Sequence, residues 1–202
     1  MDGSKGIKII LLGDSGVGKT NLINVTCGRK FDPETTSTVV SSFNESYFVH
    51  ENKKYIFNLW DTAGQEVYKS LNKIFIKGSK IVMVVFAIDN QLSFEQVDYW
   101  IDYTKQILKE EKYILALVAN KSDLYEEQVI NDEDIVKKAK EYNIKYLITS
   151  ACSDSAGFKL FINELILDYV NIIDPNEEKE LYFKLEKEGN NNTKQNKSKK
   201  CC

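Results

Sequence analysis

No apolar run in the 202 residues approaches the roughly 18 that a membrane-spanning helix needs, so no span is expected. There is a single histidine, His50, in a strand-like stretch with no partner pattern around it. That argues against a histidine base. Four cysteines are present, but Cys201 and Cys202 are the last two residues, while Cys27 and Cys152 stand alone without a CxxC pair. Neither a disulfide framework nor a zinc site is expected, and a reducing compartment is the default. The formal net charge of −3 offers no field for nucleic acid. Residues 1–6 are polar and form no apolar signal region. Asp2 stands where N-myristoylation needs glycine.

The length suffices for one domain with a real core, plus a tail. Ile7 to Leu12 reads as an apolar strand running straight into a glycine-rich turn, with Leu22, Ile23 and Val25 suggesting a helix beyond it. Strands are expected at Phe43 to Val49 and Tyr55 to Trp60, then at Ile81 to Ile88, Ile114 to Ala119 and Lys145 to Thr149. The last three are short and mostly apolar, as strands of a covered parallel sheet are. Helical spacing runs from Leu92 to Leu108 and from Phe158 to Ile173, and a more charged helix spans Asp132 to Tyr142. The alternation predicts an α/β fold, a doubly wound and mostly parallel six-stranded sheet with helices on both faces. From Pro175 the composition turns charged, then rich in Asn and Lys, so 174–202 reads as a flexible tail behind a 1–173 domain.

Gly13-Asp14-Ser15-Gly16-Val17-Gly18-Lys19-Thr20 matches GxxxxGK[ST] and lies between a predicted strand and helix. Glycines let the backbone wrap phosphate oxygens, and the helix N-terminus adds partial positive charge. Lys19 supplies a point charge and Thr20 a hydroxyl for Mg²⁺. Asn120-Lys121-Ser122-Asp123 follows the fifth strand. A carboxylate there can accept from N1–H and N2–H₂ of guanine, and adenine would leave it unpaired. Thr149-Ser150-Ala151 after the last strand can aim a backbone N–H at the guanine carbonyl. Asp61-Thr62-Ala63-Gly64-Gln65-Glu66 ends a strand, where an acid suits Mg²⁺ through a water, Gly64 can offer an N–H to a γ-phosphate, and Gln65 can orient water.

Taken together, in order and spacing, these segments resemble Ras-superfamily GTPases over about Lys8 to Ile173. Within that superfamily GDSGVGKT at 13–20, WDTAGQE at 60–66, SFEQVDYW at 93–100 and the paired-cysteine end resemble the Rab family, here a divergent member. The resemblance implies a P-loop NTPase fold of the small G domain type, binding GTP or GDP with Mg²⁺. It implies catalytic roles for Gln65 and Lys19. It places nucleotide contacts at Ser15, Gly16, Val17, Gly18, Lys19, Thr20, Asn21, Phe31, Thr38, Gly64, Asn120, Lys121, Asp123, Ser150, Ala151 and Cys152. Thr20, Thr38 and, in the metal's second shell, Asp61 would serve Mg²⁺. Phe43, Trp60 and Phe75 match the aromatic trio shown to effectors, with ordinary core packing as the competing reading.

The implied activity is slow GTP hydrolysis in a two-state switch, regulating vesicular traffic. No arginine is placed in cis, and the only one, Arg29, matches no family role. Exchange factor, activating protein, effectors and a dissociation inhibitor or escort are the implied partners. Cys201 and Cys202 look like a double geranylgeranyl site, since two lipids anchor stably where one does not. That would put the chain on the cytoplasmic face of an intracellular membrane, cycling with cytosol. Val40-Ser41-Ser42 and Cys152 depart from the family text, the former affecting effector choice and the latter one wall of the base pocket. A metabolite kinase is disfavoured by Asn120 to Asp123, and a hydrolysis-deficient GTP-binding module by the retention of Lys19, Thr20, Thr38, Asp61 and Gln65.

Overall fold

The computed structural model describes residues 6–35, 38, 42–62, 69–173 and 175–184. Its sheet begins with β1 (Ile7–Leu12), followed by α1 (Lys19–Thr26) and the hairpin of β2 (Ser42–His50) and β3 (Lys53–Asp61). Then come α2 (Lys69–Ile76), β4 (Ile81–Ala87), α3 (Gln91–Glu95), α4 (Val97–Leu108), β5 (Ile114–Asn120), α5 (Asp132–Tyr142), β6 (Lys145–Ile148) and α6 (Ser155–Ile172). The six strands lie in the order β2-β3-β1-β4-β5-β6. Only β2 runs antiparallel to its neighbour in that row, pairing from Ser42↔Asp61 to His50↔Lys53. Its two-residue turn, Glu51-Asn52, takes φ 47° and 61°, the doubly positive geometry that matches strand twist.

Period-2 alternation builds two cores from one sheet. In β4 every residue is buried. Ile81, Met83, Val85 and Ala87 pack toward α1 and α6, while Val82, Val84 and Phe86 pack toward α4 and α5. Helices cover both faces, as a parallel sheet requires. Chain order reverses direction about β1, so the strand C-termini of β1, β3, β4 and β5 border a crevice, the usual ligand position in such sheets.

Three details differ from the sequence reading. The helix expected from Leu92 to Leu108 is two helices broken at Gln96. Asn90 caps the first through its side chain, accepting from the Ser93 N–H, and Ser93 Oγ accepts from the Ala87 N–H at 3.1 Å. This bond docks the first helical stretch onto the end of β4, and Gln96 keeps right-handed dihedrals, φ −78° and ψ −7°, between the two. Helix α2 was not anticipated, although Leu71, Ile74 and Phe75 stand at helical spacing in its sequence.

The third difference concerns the domain boundary. Residues 175–184 are not a free tail. Helix α7 (Pro175–Leu181) and strand β7 (Tyr182–Lys184) fold back, and β7 pairs antiparallel with β3 at Lys53↔Lys184, Lys54↔Phe183 and Tyr55↔Tyr182. The β3 edge is open there because β1 begins only at Phe57. Glu178 accepts from the Lys53 ammonium at 2.5 Å and from the Tyr55 hydroxyl at 3.2 Å. Leu181 and Tyr182 pack against the core beneath α6. Few apolar residues sufficed because an existing strand edge supplied the partners. A chain ending after residue 173 should lose about 1–3 kcal/mol of unfolding free energy, while one ending after 184 should match the full chain. Urea denaturation of the three proteins measures this.

Candidate functional site

The loop at 13–18 crosses the C-terminal end of β1 with three glycines at positive φ, 143° at Gly13, 80° at Gly16 and 91° at Gly18. A Cβ on Gly13 would sit 2.0 Å from the Val85 carbonyl oxygen, and one on Gly18 would sit 2.3 Å from Asn120 Nδ2. One on Gly16 would meet nothing within 4 Å, so only its conformation demands glycine. Helix α1 starts directly after this loop with no side-chain cap on its first turn. Its N-terminal amides are therefore left to whatever enters the crevice.

Lys19 is almost fully buried, and its ammonium donates to the carbonyls of Gly13 (2.8 Å) and Asp14 (2.7 Å). Burial pulls its pKa down to about 8, against the opposing pull of Asp61 and Asp14. A buried cation in that condition favours an anion beside it. The loop is held from outside by the Trp100 indole N–H, which donates to Asp14 Oδ1 at 3.1 Å from α4.

Beside Lys19, Thr20 Oγ1 and Thr38 Oγ1 lie 2.8 Å apart, and Thr38 Oγ1 donates to Asp61 Oδ2 at 3.2 Å. Asp61 Oδ1 is buried and has no hydrogen-bond partner among the described residues. Burial raises the Asp61 pKa, partly offset by hydrogen bonds from Thr20 and Thr38, by Lys19 and by the Thr62 amide. Two hydroxyls and an orphaned carboxylate oxygen form a hard, all-oxygen donor set. That set fits Mg²⁺.

At the other end of the crevice Asp123 Oδ1 accepts a hydrogen bond from the Ser150 hydroxyl, whose oxygen in turn accepts from the N–H groups of Cys152 and Ser153. The carboxylate is thereby fixed in one orientation. Asn120 is buried, and its amide joins three segments: Nδ2 donates to the Val17 carbonyl at 2.8 Å, and Oδ1 accepts from the Ala151 N–H at 3.1 Å. Both groups had been expected to face the base. The Ala151 N–H is instead engaged by Asn120, and Asn120 keeps one amide hydrogen beyond its bond to Val17.

One cleft of about 330 Å³ gathers Ser15, Gly16, Gly18, Lys19, Thr20, Asn21, Phe31, Thr38, Asn120, Lys121, Asp123, Ala151 and Cys152. That volume suits a small organic ligand. Val17 points its side chain into the core, Ser150 stands buried behind Asp123, and Asp61 stands behind the threonines. Asn21 faces two ways, lining the cleft while exchanging hydrogen bonds with the Asp32 backbone at 2.9 and 3.1 Å. Gly64, Gln65, Cys201 and Cys202 lie outside the described residues. Arg29 binds Asn24 and Asn44, tying α1 to β2, and takes no part in the cleft lining.

Sequence reasoning missed Pro33, Thr35, Thr62 and Leu124 in the lining. It also missed three supports. These are Trp100, Asp89, which holds Lys121 at 3.1 Å, and Thr62, whose hydroxyl donates to the Leu11 carbonyl at 2.7 Å. Trp100 and Thr62 stand inside segments that the sequence singled out, but their contacts, like that of Asp89, act across the fold and leave no local signal.

Phe43, Trp60 and Phe75 touch one another, with ring centroids 5.1 Å apart for the first pair and 5.9 Å for the second. Phe43 is half exposed, and the other two are partly so. The trio is contiguous, with Phe43 at the surface and with Trp60 and Phe75 also packed against the core on the α4 side of the sheet.

A glycine turn shaped to receive phosphates, a buried lysine and an oriented carboxylate together match a nucleotide site of the P-loop class. The model of the Ras family matches residues 8–168. The chain is also 34% identical over 148 residues to the GTP-binding protein ypt3 of Schizosaccharomyces pombe, covering 73% of this chain and 69% of that one. It belongs to the Ras family of small GTPases, and within it to the Rab type.

Asn120→Ala should cost about 2–4 kcal/mol of stability, because the buried Val17 carbonyl and Ala151 N–H both lose their partner. Asn120→Asp, which keeps one acceptor, should cost less. Chemical denaturation of the two variants compares them.

Proposed function

We propose that the chain is a GTP-operated switch that hydrolyses GTP slowly and recruits effectors in its GTP state, regulating vesicular membrane traffic. The observation that carries this reading is the fixed separation of two recognitions within one cleft. A carboxylate locked by Ser150 stands at one end and a buried ammonium in a glycine turn at the other.

Asp123 would accept from guanine N1–H and N2–H₂, with Lys121 and Phe31 laid against the base. An adenine in the same place would leave the carboxylate desolvated and unpaired. Lys19 and the first amides of α1 would neutralise the β- and γ-phosphate oxygens. Thr20 and Thr38 would hold Mg²⁺, with Asp61 behind them, and the metal when bound supplies neutralisation of charge between the terminal phosphates. Gln65 would orient the attacking water, and Gly64 would give its N–H to the γ-phosphate.

The switch follows from that division of labour. Thr38 reaches Thr20 from 18 residues away. Ligation of Mg²⁺ by Thr38, which would depend on a γ-phosphate beside the metal, would order that segment in one nucleotide state only. With no arginine among the cleft residues, turnover should depend on a partner's arginine, worth about 10³–10⁵-fold in such enzymes. The Phe43–Trp60–Phe75 surface is the proposed effector face. Geranylgeranyl groups on Cys201 and Cys202 would attach the chain to the cytoplasmic face of an intracellular membrane. An exchange factor, an activating protein and a dissociation inhibitor or escort complete the cycle.

Protein purified without added nucleotide, then denatured, should release GDP or GTP in near-stoichiometric amount. Release of an adenine nucleotide, or of none after incubation with Mg²⁺ and GTP, would contradict the proposal. Gln65→Leu should lower single-turnover hydrolysis by at least about tenfold and leave GTP affinity within about twofold. Normal hydrolysis by that variant would remove Gln65 from its assigned role.

A further inference from the structure

We propose that Asp89 is a positioning residue that fixes Lys121 across the base and so sets how long the nucleotide stays bound. This rests on the reading of the cleft as a guanine-nucleotide site. Asp89 lies just beyond β4, outside every motif that marks the site in the sequence, and 32 positions from the lysine it holds. The ends of β4 and β5 are laced together there, the Ile88 N–H donating to the Asn120 carbonyl at 3.1 Å and the Val129 N–H to the Ile88 carbonyl at 3.0 Å. That lacing brings Asp89 beside Lys121.

Lys121 is constrained at both ends. Its backbone takes φ 68°, a left-handed conformation that long side chains rarely adopt. The flanking turn holds it there, through the Ser122 N–H on the Thr149 carbonyl at 3.0 Å and the Leu124 N–H on the Lys121 carbonyl at 2.9 Å. At the far end its ammonium donates to Asp89 Oδ2 at 3.1 Å. The other oxygen of Asp89 is buried and has no partner among the described residues. Lys121 is therefore the partner that this carboxylate's charge is spent on.

The stem between the two anchors lines the cleft. A lysine free at its tip samples many rotamers and loses that freedom whenever a base is to be covered. Anchoring the tip beforehand removes most of this loss. It also turns four methylenes into a fixed wall, which must be displaced or crossed as the nucleotide leaves. Both side chains are about a quarter exposed, 31% for Lys121 and 22% for Asp89, so the pair has a moderate strength rather than that of a fully buried one.

The test is a double-mutant cycle read by release of fluorescently labelled GDP into excess unlabelled GDP, with Mg²⁺ present. Asp89→Asn should accelerate release about fivefold in the otherwise unaltered chain, and Asp89→Glu should return it to within about twofold. In a Lys121→Met background, which keeps the stem and removes the charge, Asp89→Asn should change the rate less than about twofold. Asp89→Thr, an uncharged residue that keeps one oxygen, enters the same cycle as a second variant should Asp89→Asn fail to fold. An unchanged release rate for the Asn and Thr variants would overturn the proposal. So would equal acceleration in the Lys and Met backgrounds, since Asp89 would then act on something other than Lys121. Retention of labelled GDP by the unaltered chain tests the nucleotide reading separately.

Discussion

Everything in this molecule is arranged around a cation that has been taken out of water. The Lys19 ammonium sits on two backbone carbonyls inside a loop of glycines, and burial has already drawn its pKa down to about 8. Such a group is tolerated only where the surrounding backbone is rigid and the remaining contact is anionic. The rigidity is visible in the two glycines that lie against the Val85 carbonyl and the Asn120 amide with no room for a methyl group. The loop cannot widen without moving β4 or β5. A parallel sheet, buried on both faces, is the part of an α/β fold least able to yield in that way.

From this constraint the rest of the site can be followed outward. Asn120 transmits the position of the phosphate loop to the segment after β6, and Ser150 in that segment sets the direction of Asp123. The two ends of the cleft are thus held in register by buried hydrogen bonds, while Phe31 and Thr38 join the lining from outside the sheet. Division of this kind lets affinity reside in the rigid half and switching in the other. The fold of 175–184 onto β3 extends the rigid half further than composition suggests, because it covers the strand end remote from the cleft.

How much was legible in the sequence depends on the range of the interaction. The phosphate loop, the Asn120-to-Asp123 segment and the six strands are local patterns, and each appears where expected. Contacts between distant segments left no such mark. Trp100 supports Asp14 from 86 positions away, and Asp89 holds Lys121 from 32. Strand β7 is three residues long and exists only because β1 starts too late to cover Lys53 to Tyr55. The break at Gln96 escaped the periodicity because the hydrophobic spacing continues across it. Asn120 lines the cleft, but its buried amide bonds the protein's own backbone, a role that its motif did not signal.

The central claim is that one oriented carboxylate chooses the base. Replacing it with the isosteric amide, Asp123→Asn, exchanges an acceptor for a donor at the position proposed to meet the purine N1 and C2 edge. Xanthine differs from guanine there by a carbonyl in place of the amine. The ratio of dissociation constants for xanthosine and guanosine diphosphates should therefore shift by at least about 10²-fold in favour of xanthosine. A ratio that stays the same in the variant would show that Asp123 does not read the base, and would contradict the account at its root.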